Sequence, residues 1–136
     1  MTTGTGLVGA PLGPGVYDSL DRARASLAAA ADAETPREQY VAAHVAALRT
    51  AAALIAARSR PGPRRGSRSA WVLIGKVAPE FGDWAAYFEA GASKRAAAEA
   101  GLPNAVSGEE ADALIRDAGR FVEVVEQSLQ IPRQAA

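Results

Sequence analysis

The sequence predicts an all-α fold: an antiparallel bundle of four to five helices whose third helix is broken by a proline. Alanine, which has the highest intrinsic helix propensity, supplies 33 of the 136 residues. Apolar residues recur at intervals of three and four positions, and they nowhere alternate with polar residues as in a half-buried strand. Short connections between these stretches favour antiparallel neighbours.

We expect one folded domain at residues 16–130, because a chain of this length accommodates a single core. Residues 1–15 contain five glycines and two prolines with little that could pack, so they predict a disordered N-terminal arm. Residues 131–136 predict a polar C-terminal tail.

The first two helices are indicated by apolar spacing and by a cap. A stripe of apolar residues predicts helix one over 16–33. Thr35 and Glu38 form a capping box with proline at the first helical position, so helix two is predicted to begin there. It is expected to run to about Arg58, because proline and glycine follow at 61–63.

The second half of the chain predicts a split third helix and a long fourth one. A short helix is expected from Ser69, and Pro79 then interrupts it and allows a new helix over about 79–100. A second capping box at Ser107 predicts helix four, which runs to about residue 129.

Composition excludes several classes of chemistry. The chain has no cysteine and one histidine, which excludes disulfides, a thiolate nucleophile, cysteine-based zinc sites and the usual metal sites with several histidines. No dinucleotide or P-loop motif is present, so no cofactor is expected. The formal net charge is zero, so any site for a polyanion must be local. The N-terminus lacks signal-peptide features and no long uncharged apolar run occurs, which predicts a cytoplasmic protein without a membrane partner.

The single histidine, His44, lies on the apolar face of helix two, seven positions after Arg37. One interpretation is a buried neutral imidazole that bonds to a neighbouring helix. The other is a catalytic pair, in which His44 moves a proton while Arg37 holds a phosphate. An accessible imidazole beside a guanidinium would favour the second interpretation, and burial would favour the first.

A run of arginines without an acid follows helix two. Such a run is the expected product of a GC-rich genome, which would make it a solvated linker, or it forms a phosphate-binding site for nucleic acid. The candidate nucleic-acid-binding residues are Arg58, Arg60, Arg64, Arg65 and Arg68.

Most of the large aromatic residues gather on the two sides of Pro79. Core packing is one interpretation, since an alanine-rich bundle needs a few large side chains to fill its centre. An exposed aromatic face that forms a dimer interface is the other. The candidate interface residues are Trp71, Trp84, Tyr87 and Phe88.

Five segments of the chain resemble a small actinobacterial family of the HEPN superfamily of helical bundles. They are residues 37–54 (REQYVAAHVAALRTAAAL), 71–74 (WVLI), 77–81 (VAPEF), 83–88 (DWAAYF) and 111–118 (ADALIRDA). The resemblance spans about residues 16–129. It implies a four- or five-helix bundle, frequent homodimers, and RNA or nucleotides as the first ligand class to test.

Many members of the superfamily are ribonucleases that carry an Arg-x4–6-His motif toward the later helices. Here the last helix has Arg116 and Arg120 without a histidine, and only Arg37 and His44 meet the spacing. The resemblance therefore predicts a non-catalytic, dimeric module that binds nucleic acid, nucleotide or a protein partner. A metal-independent ribonuclease that uses Arg37 and His44, or a pure protein-interaction scaffold, are the alternatives.

Overall fold

A computed structural model describes residues 11–59 and 69–132. It contains no strand within those residues and confirms the all-α bundle. The elements, in chain order, are α1 (Pro14–Asp32), α2 (Pro36–Arg58), α3 (Ala70–Val77), a 3-10 turn (Pro79–Phe81), α4 (Gly82–Ala90), α5 (Ala92–Glu99) and α6 (Gly108–Ser128).

The predicted caps begin the long helices. At the start of α2 the Thr35 hydroxyl accepts from the Glu38 amide at 3.2 Å, but the reciprocal bond to the Glu38 side chain that would complete the predicted capping box does not form. At the start of α6, the Ser107 hydroxyl accepts from the Glu110 amide at 3.1 Å, and the Glu110 carboxylate accepts from the Ser107 amide at 2.9 Å. The side-chain oxygens replace backbone acceptors that a first helical turn lacks, which fixes both starts.

The prediction of one helix over 79–100 is wrong in one respect, because the helix is interrupted a second time at Gly91. A Cβ atom at Gly91 would lie 2.8 Å from the Tyr40 hydroxyl oxygen of α2, so a larger residue here would require that hydroxyl to move. The Gly91 amide donates to the Phe88 carbonyl at 3.0 Å, a tight turn that separates α4 from α5.

Helix α2 is the centre of the bundle and packs against α1, α3, α5 and α6. Both α1 and α2 carry fully buried alanines, which allow neighbouring helices to approach closely. These alanines are Ala23 and Ala30 of α1 and Ala43, Ala46, Ala47, Ala51 and Ala53 of α2. Aromatic rings fill the opposite side of α2, between α3, α4 and α6.

The predicted limits of the domain shift at both ends. Helix α1 begins at Pro14, and Leu12 packs with Ile131 against a small cluster of Val16, Leu20 and Ala53. Residues 11–15 therefore belong to the bundle, as does the first residue of the predicted tail. The rest of the predicted arm and tail, residues 1–10 and 133–136, lies outside the described residues.

By length and composition, α2 could cross a membrane. Half of its most apolar window is buried against other helices of the bundle. Core helices of soluble proteins pass the same test, so this feature is weak evidence for a span.

Candidate functional site

His44 is buried in the bundle, with 1% of its surface exposed. Its Nε2 atom lies 2.9 Å from the Phe88 carbonyl oxygen of α4. A carbonyl can only accept, so Nε2 carries the proton and Nδ1 is left as an acceptor. The ring also makes edge contacts with Trp71 and Phe88, at 6.3 and 6.5 Å between centroids. The imidazole thus ties α2 to the carboxyl end of α4.

Burial lowers the pKa of His44, because the charged imidazolium loses its hydration. The Phe88 carbonyl opposes this by favouring the protonated ring, and the nearby Arg95 charge adds to the lowering. Nδ1 is buried and has no hydrogen-bond partner among the residues that the structure describes. His44 is therefore neutral near pH 7 and is separated from solvent.

Arg37 does not form the predicted pair with His44. It is exposed and lines a shallow groove between α2 and α5, together with Glu38, Val41, Ala42, Ala98 and Glu99. The guanidinium whose charge acts on His44 is that of Arg95 on α5. Sequence spacing gave no signal for Arg95, because it lies on a different helix from His44.

The lowered pKa of His44 predicts a loss of stability in mild acid. The unfolded chain takes up a proton near pH 6.5 and the folded protein only at lower pH, so the free energy of unfolding decreases as pH falls below about 6.5. The limiting slope is about 1.4 kcal/mol per pH unit. Urea unfolding at pH 7.5, 6.0 and 5.0 measures this decrease in the free energy of unfolding.

The matched variant is His44→Gln, whose amide nitrogen can still donate to the Phe88 carbonyl but does not titrate in this range. It should remove the slope between pH 6.5 and 5, whereas carboxylates dominate only at lower pH. An equal slope in both proteins would contradict the assignment to His44.

Arg58, predicted to bind nucleic acid, is engaged within the protein. Its guanidinium pairs with Glu80 at 2.5 Å and donates to the Ser128 hydroxyl at 2.8 Å, and it lies 6.0 Å from the Phe81 ring centroid. These contacts join the end of α2 to the 3-10 turn and α6, so Arg58 has a structural role. The other four predicted residues, Arg60, Arg64, Arg65 and Arg68, lie outside the described residues.

The predicted aromatic interface divides into core and surface. Trp71 is 5% exposed and Phe88 is fully buried, so both are core residues and the prediction that they form an interface is corrected. Their rings stack on one another at 5.2 Å and both contact Phe121 of α6. Tyr87 is 44% exposed and Trp84 is half-buried, which leaves these two for contact with a partner.

Tyr87 and Trp84 line an open groove between α4 and α6 together with Asp83 and Asp117. We call these four residues the α4–α6 groove; its volume is about 230 Å³. The Tyr87 hydroxyl donates to Asp117 Oδ2 at 2.5 Å. Burial, and then this bond to a carboxylate, raise the pKa of Tyr87, so the phenol stays protonated.

The described part of the chain holds no group of three or more His, Cys, Asp or Glu residues that could bind a metal ion. The chain has no cysteine, and its single histidine is buried in the core and hydrogen-bonded to the Phe88 carbonyl.

A match of its sequence to a family model places the chain in the HEPN superfamily of helical domains, whose members are often ribonucleases or nucleotide-binding modules. A model of the SAV_6107-like HEPN family matches residues 30–126, so the chain belongs to that family. The match begins near the end of α1 and ends within α6, and it includes both His44 and the α4–α6 groove. Neither the curated proteins nor the solved structures gave a match.

Proposed function

We propose that this protein is a non-catalytic HEPN module that acts by binding a partner. The observation that carries the proposal is the position of His44, the only histidine of the chain. General acid–base catalysis requires an imidazole within hydrogen-bond reach of the reacting group. Here the imidazole is 1% exposed and bonded to the Phe88 carbonyl, and the spaced arginine, Arg37, lies at a separate exposed groove.

A ribonuclease assay with the matched His44→Gln variant tests this. We expect neither protein to cleave single-stranded or hairpin RNAs, with or without EDTA. A metal-independent cleavage that is lost in His44→Gln, while the circular dichroism spectrum and thermal midpoint are retained, would show instead that His44 is catalytic.

Binding to nucleic acid is the second candidate, and the arginine run at 60–68 favours it. With Arg58 engaged by Glu80, the four remaining arginines of the run have no acidic residue among them. Since the whole protein carries no net charge, this segment would supply the local positive charge that phosphates need.

The expected result is salt-dependent binding of single-stranded RNA. Four phosphate contacts would give a slope of about −3 in log K against log salt, and Arg64→Ala/Arg65→Ala should reduce it by about 1.4. Fluorescence anisotropy with a labelled oligonucleotide measures both. The control is Arg22→Ala/Arg120→Ala, which removes two exposed arginines elsewhere. Equal slopes in the two double variants would exclude the arginine run as the site of phosphate contact.

The homodimer and the cytoplasmic location stay predictions.

A further inference from the structure

The α4–α6 groove combines aromatic rings with carboxylates from two helices. Trp84 stacks on Phe88 with centroids 6.0 Å apart and planes at 16°, and it also contacts Phe121 at 5.4 Å. Tyr87 rests edge-on against Phe88 at 5.1 Å, and its hydroxyl is bonded to Asp117. Core contacts hold both rings in position before any ligand arrives, which reduces the entropy lost on binding.

The groove attracts positive charge. The faces of Trp and Tyr rings are electron-rich and bind cations, most strongly for Trp. Asp83 and Asp117 form no ion pair within the described residues, in contrast to the paired Glu80 and Glu110. The charge of Arg116 also acts on the Tyr87 hydroxyl. Together, Asp83, Asp117 and Arg116 give the groove one net negative charge.

The size and chemistry of the groove select a single planar cation. At about 230 Å³, the groove is smaller than sites for drug-sized ligands, which span about 300–1,000 Å³. A guanidinium stacks on aromatic rings and donates two parallel hydrogen bonds to a carboxylate, whereas an ammonium is a strongly hydrated point charge. Phosphates would be repelled by Asp83 and Asp117, so the groove does not suit a nucleotide.

We propose that the α4–α6 groove binds the side chain of an arginine presented by a partner protein. The inference rests on the proposed role as a binding module and names the chemistry of its partner. An arginine within a peptide lacks the free α-carboxylate that the two aspartates would repel in the amino acid. Because the groove is open and Tyr87 is 44% exposed, an extended segment can insert one arginine without a change of fold.

The test is an NMR titration of the ¹⁵N-labelled protein with an acetylated and amidated peptide of alternating glycine and arginine. The two tryptophans give two indole signals, which Trp84→Phe distinguishes. We expect the Trp84 signal to shift, while the signal of Trp71, which is 5% exposed, stays as an internal control. A citrulline peptide of the same shape should not bind. A lysine peptide should bind about 2- to 5-fold more weakly, because an ammonium cannot donate the two parallel hydrogen bonds and is more strongly hydrated.

Charge variants locate the contact. Asp83→Asn/Asp117→Asn should weaken the arginine peptide about 10-fold, and Arg116→Ala should strengthen it about 2-fold. The control Glu89→Gln/Asp112→Asn removes two exposed carboxylates from the same two helices and should leave the affinity unchanged.

An equal affinity for citrulline, an unshifted Trp84 signal, or full binding by Asp83→Asn/Asp117→Asn would each overturn the inference. If the groove variants instead weaken self-association in sedimentation, the occupant is a second copy and the inference is wrong. None of these outcomes depends on the ribonuclease assay. The proposed binding of arginine can therefore be disproved while the proposed absence of catalysis stands, and the absence of catalysis can be disproved while arginine binding stands.

Discussion

Phe121→Ala should lower the free energy of unfolding by about 3–5 kcal/mol, the range for removing a large aromatic ring from a core. Phe121 of α6 is fully buried, and its ring contacts four others. These are Trp71, Phe81, Trp84 and Phe88, at centroid distances of 5.1–6.3 Å. Its neighbours are themselves large rings held by further core contacts, so they can move little to fill the cavity. Urea unfolding followed by circular dichroism at pH 7.5 measures the loss.

The control for Phe121 is Tyr17→Ala, which removes a similar ring that is 45% exposed on α1. It should change stability by about 1 kcal/mol or less, as is usual for surface positions. If both substitutions cost the same, the aromatic cluster would not be the centre of the core.

Arg24→Ala should destabilise the protein by about 3 kcal/mol, because it leaves the carboxylate of Glu126 buried without its ion-pair partner. Arg24 of α1 pairs with Glu126 of α6, whose side chain is 7% exposed, and also with the exposed Asp21. The quarter exposure of Arg24 places the expected value at the lower end of the range for buried pairs. Urea unfolding measures it.

Two further variants separate burial from charge. Arg22→Ala breaks a pair with Asp18 in which both side chains are more than 60% exposed, and it should cost less than about 1 kcal/mol. Arg24→Met/Glu126→Leu replaces the buried pair with apolar side chains and should recover most of the stability. A double variant as unstable as Arg24→Ala would contradict this account.

The long helices were predictable because their signals are local. Thr35 and Ser107 mark helix starts within four residues of sequence, and the apolar spacing of α2 and α6 needs no knowledge of the rest of the fold. The break at Gly91 was less predictable, because the contact that occupies this position comes from Tyr40, about fifty positions earlier in the chain.

The candidate site was less predictable because it also depends on contacts between residues that are distant in sequence. Trp84, Tyr87 and Phe88 share one broad helical stripe, and only their packing against α2, α3 and α6 decides that Phe88 is buried while Tyr87 is partly exposed. Similarly, Arg37 and His44 have the spacing of a catalytic pair, but the imidazole is hydrogen-bonded to the Phe88 carbonyl and does not face a substrate. The link from Tyr87 to Asp117 joins residues thirty positions apart that no motif connects.

The buried alanines at the centre of α1 and α2 have a consequence for mutagenesis. An alanine scan, the usual way to map a core, passes over these positions because each already carries the substituted residue. At these positions the packing can be mapped only by enlarging the side chain, where an added methylene must displace its closely packed neighbours. A scan by truncation would therefore record what the larger core residues contribute, such as Leu20, Leu54 and Phe88, and miss what the buried alanines contribute.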